Sequence, residues 1–215
     1  MEENTKYNRL LELTNNFNIF WNNALKTENE DYLSGISVEN LIELKKALNN
    51  INNFVTLMVT LRFIEQLRKI GVISFEQAEN MKDEVNSVHP NTNGFDVRYP
   101  LPEKAKSEEK NIVAEVKCNI PVDGNRFGAN QKRGIDKDLK GILDGKNKEK
   151  NYDHSKYHKF MVMLDVNGVR EAMDNIINDF NKENTVKLVE LSDNKIDFGH
   201  IYIVYINLSD TPFRK

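Results

Sequence analysis

The chain has 215 residues, of which 39% are hydrophobic and 29% are charged, and its formal net charge is −3 at pH 7. This length and apolar content suffice for a globular domain with a full core, so the composition excludes an intrinsically disordered chain. A single cysteine, Cys118, excludes an internal disulfide framework and a multi-cysteine zinc site. The sequence has no run of about 18 apolar residues and no basic-then-apolar N-terminal segment, so we expect a soluble, cytoplasmic protein with no membrane contact.

Charge is unevenly distributed along the chain. Residues 1–94 contain 9 basic residues (Lys and Arg) and 13 acidic residues (Asp and Glu). The corresponding numbers are 15 and 11 for residues 95–160, and 6 and 9 for residues 161–215. The middle segment is therefore +4, and its flanks are −4 and −3. A basic segment in an acidic protein indicates either a polyanion site or a solvated, lysine-rich loop and helix.

Residues 1–72 predict a helical N-terminal region that serves packing or dimerisation. Apolar residues recur there at helical spacing, first before Ser37 and again up to Gly71. Ser37 has the side chain of a helix N-cap, and Gly71 is a typical C-cap. We interpret the broad apolar stripe of this region as core or as a dimer surface.

Residues 73–215 predict an α/β core with a central mixed sheet flanked by helices. A Ser74–Gln77 capping box opens the first helix of this core. The predicted elements are a helix over 75–88, strands over 95–101 and 112–117, a helix over 130–143, a strand over 160–164, a helix over 170–182, and strands over 186–191 and 201–208. We expect the first two strands to form an antiparallel hairpin, and the whole chain to make one continuous globular domain.

The strand Ile112–Lys117 carries the chemistry. Side chains two residues apart share one face of a strand, so Glu115 and Lys117 lie side by side on an otherwise apolar element. Burying such a pair is costly unless partners or a metal ion compensate the charge. On the preceding strand, alternation places Asp96 and Arg98 on one face and Phe95, Val97 and Tyr99 on the other.

Asp96 and Glu115 can converge on one face of the hairpin. Two hard carboxylate oxygens at a fixed separation suit Mg²⁺. The metal ion would activate water and stabilise a phosphorane, while the Lys117 ammonium would hold the nucleophile or offset phosphate charge. The reaction that this arrangement serves best is hydrolysis of a phosphodiester.

This arrangement resembles the PD-(D/E)XK nuclease superfamily, which includes most type II restriction endonucleases. The matching residues are Asp96 and, after eighteen intervening residues, Glu115-Val116-Lys117 on an apolar strand. The element order helix, strand, strand, helix, strand also matches, and the resemblance covers roughly residues 75–165. It implies a restriction-endonuclease-like fold, Mg²⁺ bound by Asp96 and Glu115, and Lys117 as the catalytic lysine. Phe95 stands where the motif has proline.

The acid-X-lysine pattern also occurs elsewhere in this charged chain. The other triplets begin at Glu43, Glu108, Asp138, Asp144 and Asp193. Because these lie on predicted helices or loops, only the triplet at Glu115 has the strand context of a nuclease site. Some members of the superfamily use a further glutamate from the helix before the first strand, and Glu84 is the candidate here, the alternative being a plain acid on the helix surface.

The segment after the strand supplies candidate DNA contacts. Amide and cationic side chains of this kind contact phosphates or read base edges. The candidates are Asn119, Asn125, Arg126, Gln131, Lys132 and Arg133. The alternative for Gln131 is an exposed residue in the first turn of its helix.

Other chemistries have weaker support. His154 and His158 have i, i+4 spacing but lack the neighbouring glutamate and the third ligand of a zinc site. Cys118 points away from Lys117 on the strand pattern, so we interpret it as a buried thiol and not as a nucleophile.

The sequence as a whole predicts an Mg²⁺-dependent endonuclease for double-stranded DNA, and in particular a type II restriction enzyme acting at a short specific site. Symmetric sites are usually read by symmetric dimers, so we expect a homodimer, and a cognate DNA methyltransferase encoded nearby is an open question. The alternatives are a repair or mobile-element nuclease, and a non-catalytic DNA-binding or regulatory module with the same fold.

Overall fold

The computed structural model describes most of the chain. The described residues are 9–33, 36–87, 94–100, 110–122, 124–146 and 153–208. They form helices α1 (Arg9–Leu25), α2 (Val38–Lys69), α3 (Phe75–Ser87), α4 (Ala129–Asp144) and α5 (Val169–Glu183), and strands β1 (Val97–Tyr99), β2 (Ile112–Lys117), β3 (His158–Leu164), β4 (Lys187–Glu190) and β5 (His200–Ile206), with a 3₁₀ turn at His154–Lys156. None of the helices in these ranges is long and apolar enough to cross a membrane.

The strands of the described residues form one mixed sheet in the order β1-β2-β3-β5-β4. β1 is antiparallel to β2, which confirms the predicted hairpin, and the remaining neighbours are parallel. The coarse prediction of an α/β protein with a mixed sheet flanked by helices is therefore confirmed. β2 has a neighbour on each side, so the strand that carries Glu115 and Lys117 lies inside the sheet.

Two apolar layers cover the two faces of the sheet. On one face, the C-terminal half of α2 and helix α3 pack against Ala114, Val116 and Phe160. On the other face, α4 and α5 pack against Val113 and Met161. Period-two alternation along the buried strands explains why neighbouring residues belong to opposite layers.

The chain divides into two compact units, Met1–Ile51 and Asn52–Lys215, and the boundary falls within α2. In the first unit, the side chains of Asn18 and Asn22 bind the backbone of the segment after α1, at Tyr32 and Glu30. In the second unit, Val59, Phe63, Ile64 and Leu67 of α2 belong to the core. The predicted division of roles between 1–72 and 73–215 stays a prediction.

Local signals placed most element ends correctly. The Ser37 hydroxyl accepts a hydrogen bond from the Asn40 N–H at 3.2 Å, as expected of an N-cap, and Gly71 has φ 76° after α2. Ser74 likewise accepts from the Gln77 N–H at 3.1 Å, but the Gln77 amide donates to the Lys110 carbonyl at 2.6 Å, which ties α3 to the start of β2.

The first strand is shorter than predicted. β1 begins at Val97, so Asp96 and Phe95 precede it. The expectation that Phe95 shares a face with Val97 and Tyr99 is wrong, because Phe95 packs with the α4–α5 layer and the other two with the α2–α3 layer. The alternation ends where regular pairing ends. Leu101, the predicted last residue of this strand, lies outside the described residues.

Candidate active site

Glu115 and Lys117 lie on the face of β2 that α4 covers. Val113, two residues before Glu115, belongs to the same apolar layer as Ile135, Leu139 and Ile142 of α4. Glu115 is 2% exposed, so its carboxylate is inside the protein. The predicted sharing of one face by Glu115 and Lys117 is therefore present.

Each of these side chains has a partner of opposite charge. Lys117 forms an ion pair with Asp138 of α4. The Lys146 ammonium, just beyond the end of α4, lies 2.5 Å from Glu115 Oε1 and 3.6 Å from Asp138 Oδ1. It also donates to the Gly94 carbonyl at 3.0 Å. The Glu115–Lys146 contact is therefore a close, largely buried ion pair.

Asp96 is fixed by the backbone of β2. Its Oδ2 accepts a hydrogen bond from the Val116 N–H at 2.7 Å, so the carboxylate continues the β1–β2 ladder beyond Val97. This bond orients Asp96 beside the residue that follows Glu115. The charges of the two carboxylates interact there, as the hairpin predicted.

Burial and neighbouring charges change the pKa values of the two carboxyl groups. Burial raises the pKa of Glu115 to about 8, with a further contribution from the Asp96 charge, while Lys146 acts in the opposite direction. Burial also raises the pKa of Asp96, and the hydrogen bond from Val116 opposes that rise. The charges of Lys117 and Lys146 oppose that rise as well.

Lys146 shows the complementary effect. Burial alone would lower the pKa of its ammonium, but the charges of Glu115, Asp138 and Asp96 outweigh burial and raise it. Lys146 therefore remains a cation at neutral pH. The charged cluster consists of the carboxylates of Asp96, Glu115 and Asp138 and the ammonium groups of Lys117 and Lys146. Its formal charge is −1 when all five groups are ionised, so a further cation would be attracted to it.

The cluster partly fits a magnesium ion. Among the described residues, no group of three or more His, Cys, Asp and Glu side chains is arranged to hold a metal. Mg²⁺ commonly binds one or two carboxylates and takes its remaining ligands from water and substrate phosphates. Asp96 and Glu115 provide that smaller donor set, and the Asp96 charge interacts with the Glu115 carboxyl.

The candidate DNA-binding residues differ in solvent exposure and in charge pairing. Asn125, Arg126 and Arg133 are exposed, and Asn119 is half-buried just after β2. The Lys132 ammonium pairs with Asp179 of α5 at 2.9 Å, so part of its charge is compensated.

Gln131 has a structural role. Its Oε1 accepts from the Gly128 N–H at 2.8 Å and its Nε2 donates to the Ile120 carbonyl at 2.9 Å. These bonds cap α4 and fix the loop that follows β2. A contact from Gln131 to DNA stays a prediction.

That loop also contacts α5. Gly124 and Gly168 both have φ values above 80°, and a Cβ atom at position 168 would lie 1.4 Å from the Gly124 carbonyl oxygen. Only glycine allows this close approach of the two backbones. The loop that carries Asn125 and Arg126 is thereby packed onto the start of α5.

The remaining sequence candidates lie elsewhere. Cys118 packs with the α2–α3 layer, as expected of a side chain on the opposite face from Lys117. Its thiol is half-buried and lies 3.8 Å from the Thr56 hydroxyl. Burial raises the pKa of this thiol. His158 begins β3 and stacks on Phe198, and burial lowers its pKa. Glu84 is half-buried on α3, and its participation stays a prediction.

Sequence reasoning missed Asp138 and Lys146. Both belong to acid-X-lysine triplets that were set aside because they lie on a helix or loop. Asp138 follows Ile135 by three residues and precedes Ile142 by four, and both of these are buried. That spacing places an acid beside the buried face of α4, and this was the available signal.

No protein-family model, curated protein or solved structure matches the chain.

Stability should depend on pH through Glu115. An unfolded glutamate ionises near its ordinary pKa of 4.5, whereas Glu115 ionises near 8 in the fold. Between these values the unfolded chain binds fewer protons, so the free energy of unfolding falls as pH rises through this window, by roughly 2–5 kcal/mol. Urea unfolding in EDTA at pH 5, 6.5 and 8 measures this fall.

The matched variants are Glu115→Gln, which should lose most of the fall, and Glu171→Gln on the exposed face of α5, which should keep it. Equal pH dependence in wild type and Glu115→Gln would contradict the prediction. Asp96 contributes in the same direction, so a residual slope is expected in the Glu115 variant.

Proposed function

We propose that the protein is an Mg²⁺-dependent endonuclease that hydrolyses phosphodiester bonds of double-stranded DNA, with a restriction-endonuclease-like core. The observation that supports this most is the convergence of Asp96, Glu115 and Lys117 at one position on β2. The sequence resemblance assigned these residues their roles. The geometry supports the assignment because the Asp96 charge interacts with Glu115 and with Lys117, although Asp96 lies about twenty residues from both in the sequence.

Asp96 and Glu115 are the residues that would hold Mg²⁺. The ion would act as a Lewis acid that activates water and stabilises the negative charge developing on the phosphate. The Val116 N–H fixes the Asp96 carboxylate, and the burial of Glu115 keeps bulk water away from its oxygens.

Lys117 is the residue that would act on the reacting groups. Its ammonium would orient the nucleophile and offset phosphate charge. Asp138 holds this ammonium on the site face of β2, so Asp138 is a positioning residue in this scheme.

The finer proposal is a type II restriction enzyme that cuts at a short site and acts as a homodimer, and the genes beside its own would show whether a cognate methyltransferase accompanies it. The basic middle segment and the exposed cations after β2 support DNA as the substrate. Large exposed apolar side chains in the first unit, such as Phe20 and Ile42, are typical of protein interfaces and support the dimer.

The decisive experiment is incubation of a mixed-sequence DNA with the protein in Mg²⁺ and in EDTA. Discrete fragments that form only with Mg²⁺ would support a site-specific metal nuclease, and sequencing their ends would give the site. Structure-dependent cutting without sequence preference would favour a repair or mobile-element nuclease.

A non-catalytic DNA-binding module is the second candidate. The observation that favours it is that both site lysines are paired with carboxylates, so the cluster is largely self-neutralised. In that case, DNA would be shifted on a gel but remain intact with Mg²⁺.

DNA affinity should depend on the exposed arginines after β2. Replacing Arg126 and Arg133 together by alanine should reduce the slope of log K against log salt by about 2, because each phosphate contact contributes about 0.9. Fluorescence anisotropy with a labelled duplex across a salt series measures this slope. Lys69→Ala, at the exposed end of α2, is the control. A slope unchanged in the double variant would place the DNA elsewhere.

A further inference from the structure

Lys146 contacts the carboxylate that the proposed metal ion requires. Its ammonium lies 2.5 Å from Glu115 Oε1 and 3.6 Å from Asp138 Oδ1, and it interacts with the charge of Asp96. The Phe95 ring is 5.4 Å away, a distance at which an aromatic face attracts a cation. All of these partners favour a positive charge at this position.

The path of the Lys146 side chain also follows from the sequence. Its aliphatic stem folds back across the last turn of α4, where a Cβ atom at position 141 would lie 3.2 Å from Lys146 Cγ and 3.3 Å from Lys146 Cε. Gly141 therefore provides the space through which the stem reaches Glu115. Lys146 itself follows the C-cap Gly145, which has φ 86°, so the side chain can leave without unwinding the helix.

A divalent ion and this ammonium compete for Glu115 Oε1. Both are cations that are attracted to the same oxygen, and their mutual repulsion is strong where solvent is excluded. Binding of the ion therefore favours departure of the ammonium. A tethered ammonium can leave by rotating its own side chain, whereas Glu115 is fixed within the sheet.

We propose that Lys146 is a tethered competitor of the metal ion: it occupies Glu115 in the metal-free protein and is displaced when Mg²⁺ binds. This inference rests on the proposed function. The displaced ammonium remains close to the site because the Lys146 side chain is short. The space at Gly141 determines how readily this side chain returns to Glu115.

The first test uses the wild-type protein and does not depend on cleavage. Lysines are modified briefly with an amine-reactive anhydride, with Mg²⁺ or with KCl at equal ionic strength, and modification at each position is read by mass spectrometry. Mg²⁺ should increase modification of Lys146, which is only 22% exposed when paired. Lys140, exposed on α4, should be unchanged. An unchanged or lower rate at Lys146 would overturn the inference.

The second test measures Mg²⁺ binding by calorimetry at pH 9 without DNA. Lys146→Met should bind Mg²⁺ about fivefold more tightly than wild type, the equivalent of one ion pair worth ~1 kcal/mol. Gly141→Ala, which crowds the stem and leaves every charge in place, should also bind more tightly. Lys140→Met is the charge-matched control and should equal wild type. Weaker binding by Lys146→Met would show that Lys146 assists the metal and would overturn the inference.

The outcomes separate the two proposals. If all variants bind Mg²⁺ equally, the competitor role fails and the metal site stands. If wild type and every variant fail to bind Mg²⁺, the proposed metal-dependent function fails, and the competitor role fails with it.

Discussion

Replacement of Lys117 by methionine is expected to reduce DNA cleavage by about 100- to 1,000-fold while DNA binding is retained. Methionine keeps the length of the aliphatic stem and removes the charge that would act at the phosphate, and loss of one such electrostatic contact typically has this effect. Lys117 is partly exposed and lies at the end of β2, so the fold should tolerate the change. Cleavage rates of a plasmid in Mg²⁺, followed on gels, measure the effect.

Glu115→Gln should reduce cleavage by a similar factor, because an amide is a poor Mg²⁺ ligand compared with a carboxylate. The double variant should be little worse than either single one, since residues that act as a unit are not additive. Lys140→Met controls for the loss of one positive charge. Cleavage by Lys117→Met at the wild-type rate would remove Lys117 from the mechanism, and intact DNA with the wild type would favour the binding module.

The second large effect concerns the core on the opposite face of the sheet. Phe160 of β3 is fully buried, and its ring lies 5.2 Å from that of Phe63 of α2. Phe160→Ala should lower the free energy of unfolding by about 3–5 kcal/mol, because the change removes buried apolar surface and leaves a cavity. Urea unfolding followed by circular dichroism measures this loss.

Phe75→Ala is the matched control for this change. Phe75 begins α3 and is 67% exposed, so its truncation should cost less than about 1 kcal/mol. Equal losses for the two variants would contradict the packing described for the α2–α3 layer. The comparison also tests whether the C-terminal half of α2 belongs to the core of the second unit.

Local signals were sufficient for most elements of the second unit. The apolar alternation of Ile112–Lys117 predicted β2 with the same bounds, and the helix predicted over 130–143 agrees with α4 to within one residue at each end. Such patterns succeed because they depend only on the period of the element and on burial. The start of β1 was predicted two residues too early, because the side chain of Asp96 takes the place of a backbone acceptor there.

The composition of the charged cluster could be predicted only in part. Asp96, Glu115 and Lys117 follow from a hairpin, which is local in the chain. Asp138 and Lys146 reach Glu115 because α4 packs across β2, and no spacing in the sequence encodes that packing. Sequence context placed the Glu115 triplet on a strand correctly, but it could not show that two of the other triplets supply partners to it.

The contact between Gly124 and Gly168 has a consequence for recognition. A loop anchored backbone to backbone on a helix start loses its conformational freedom when the protein folds, so little is left to lose when a ligand arrives. Asn125 and Arg126 would then meet their target as a preformed surface, and selectivity would arise from shape as well as from charge. A residue larger than glycine at position 168 would break this contact. The loop that carries Asn125 and Arg126 would then be flexible and would have to become ordered on binding.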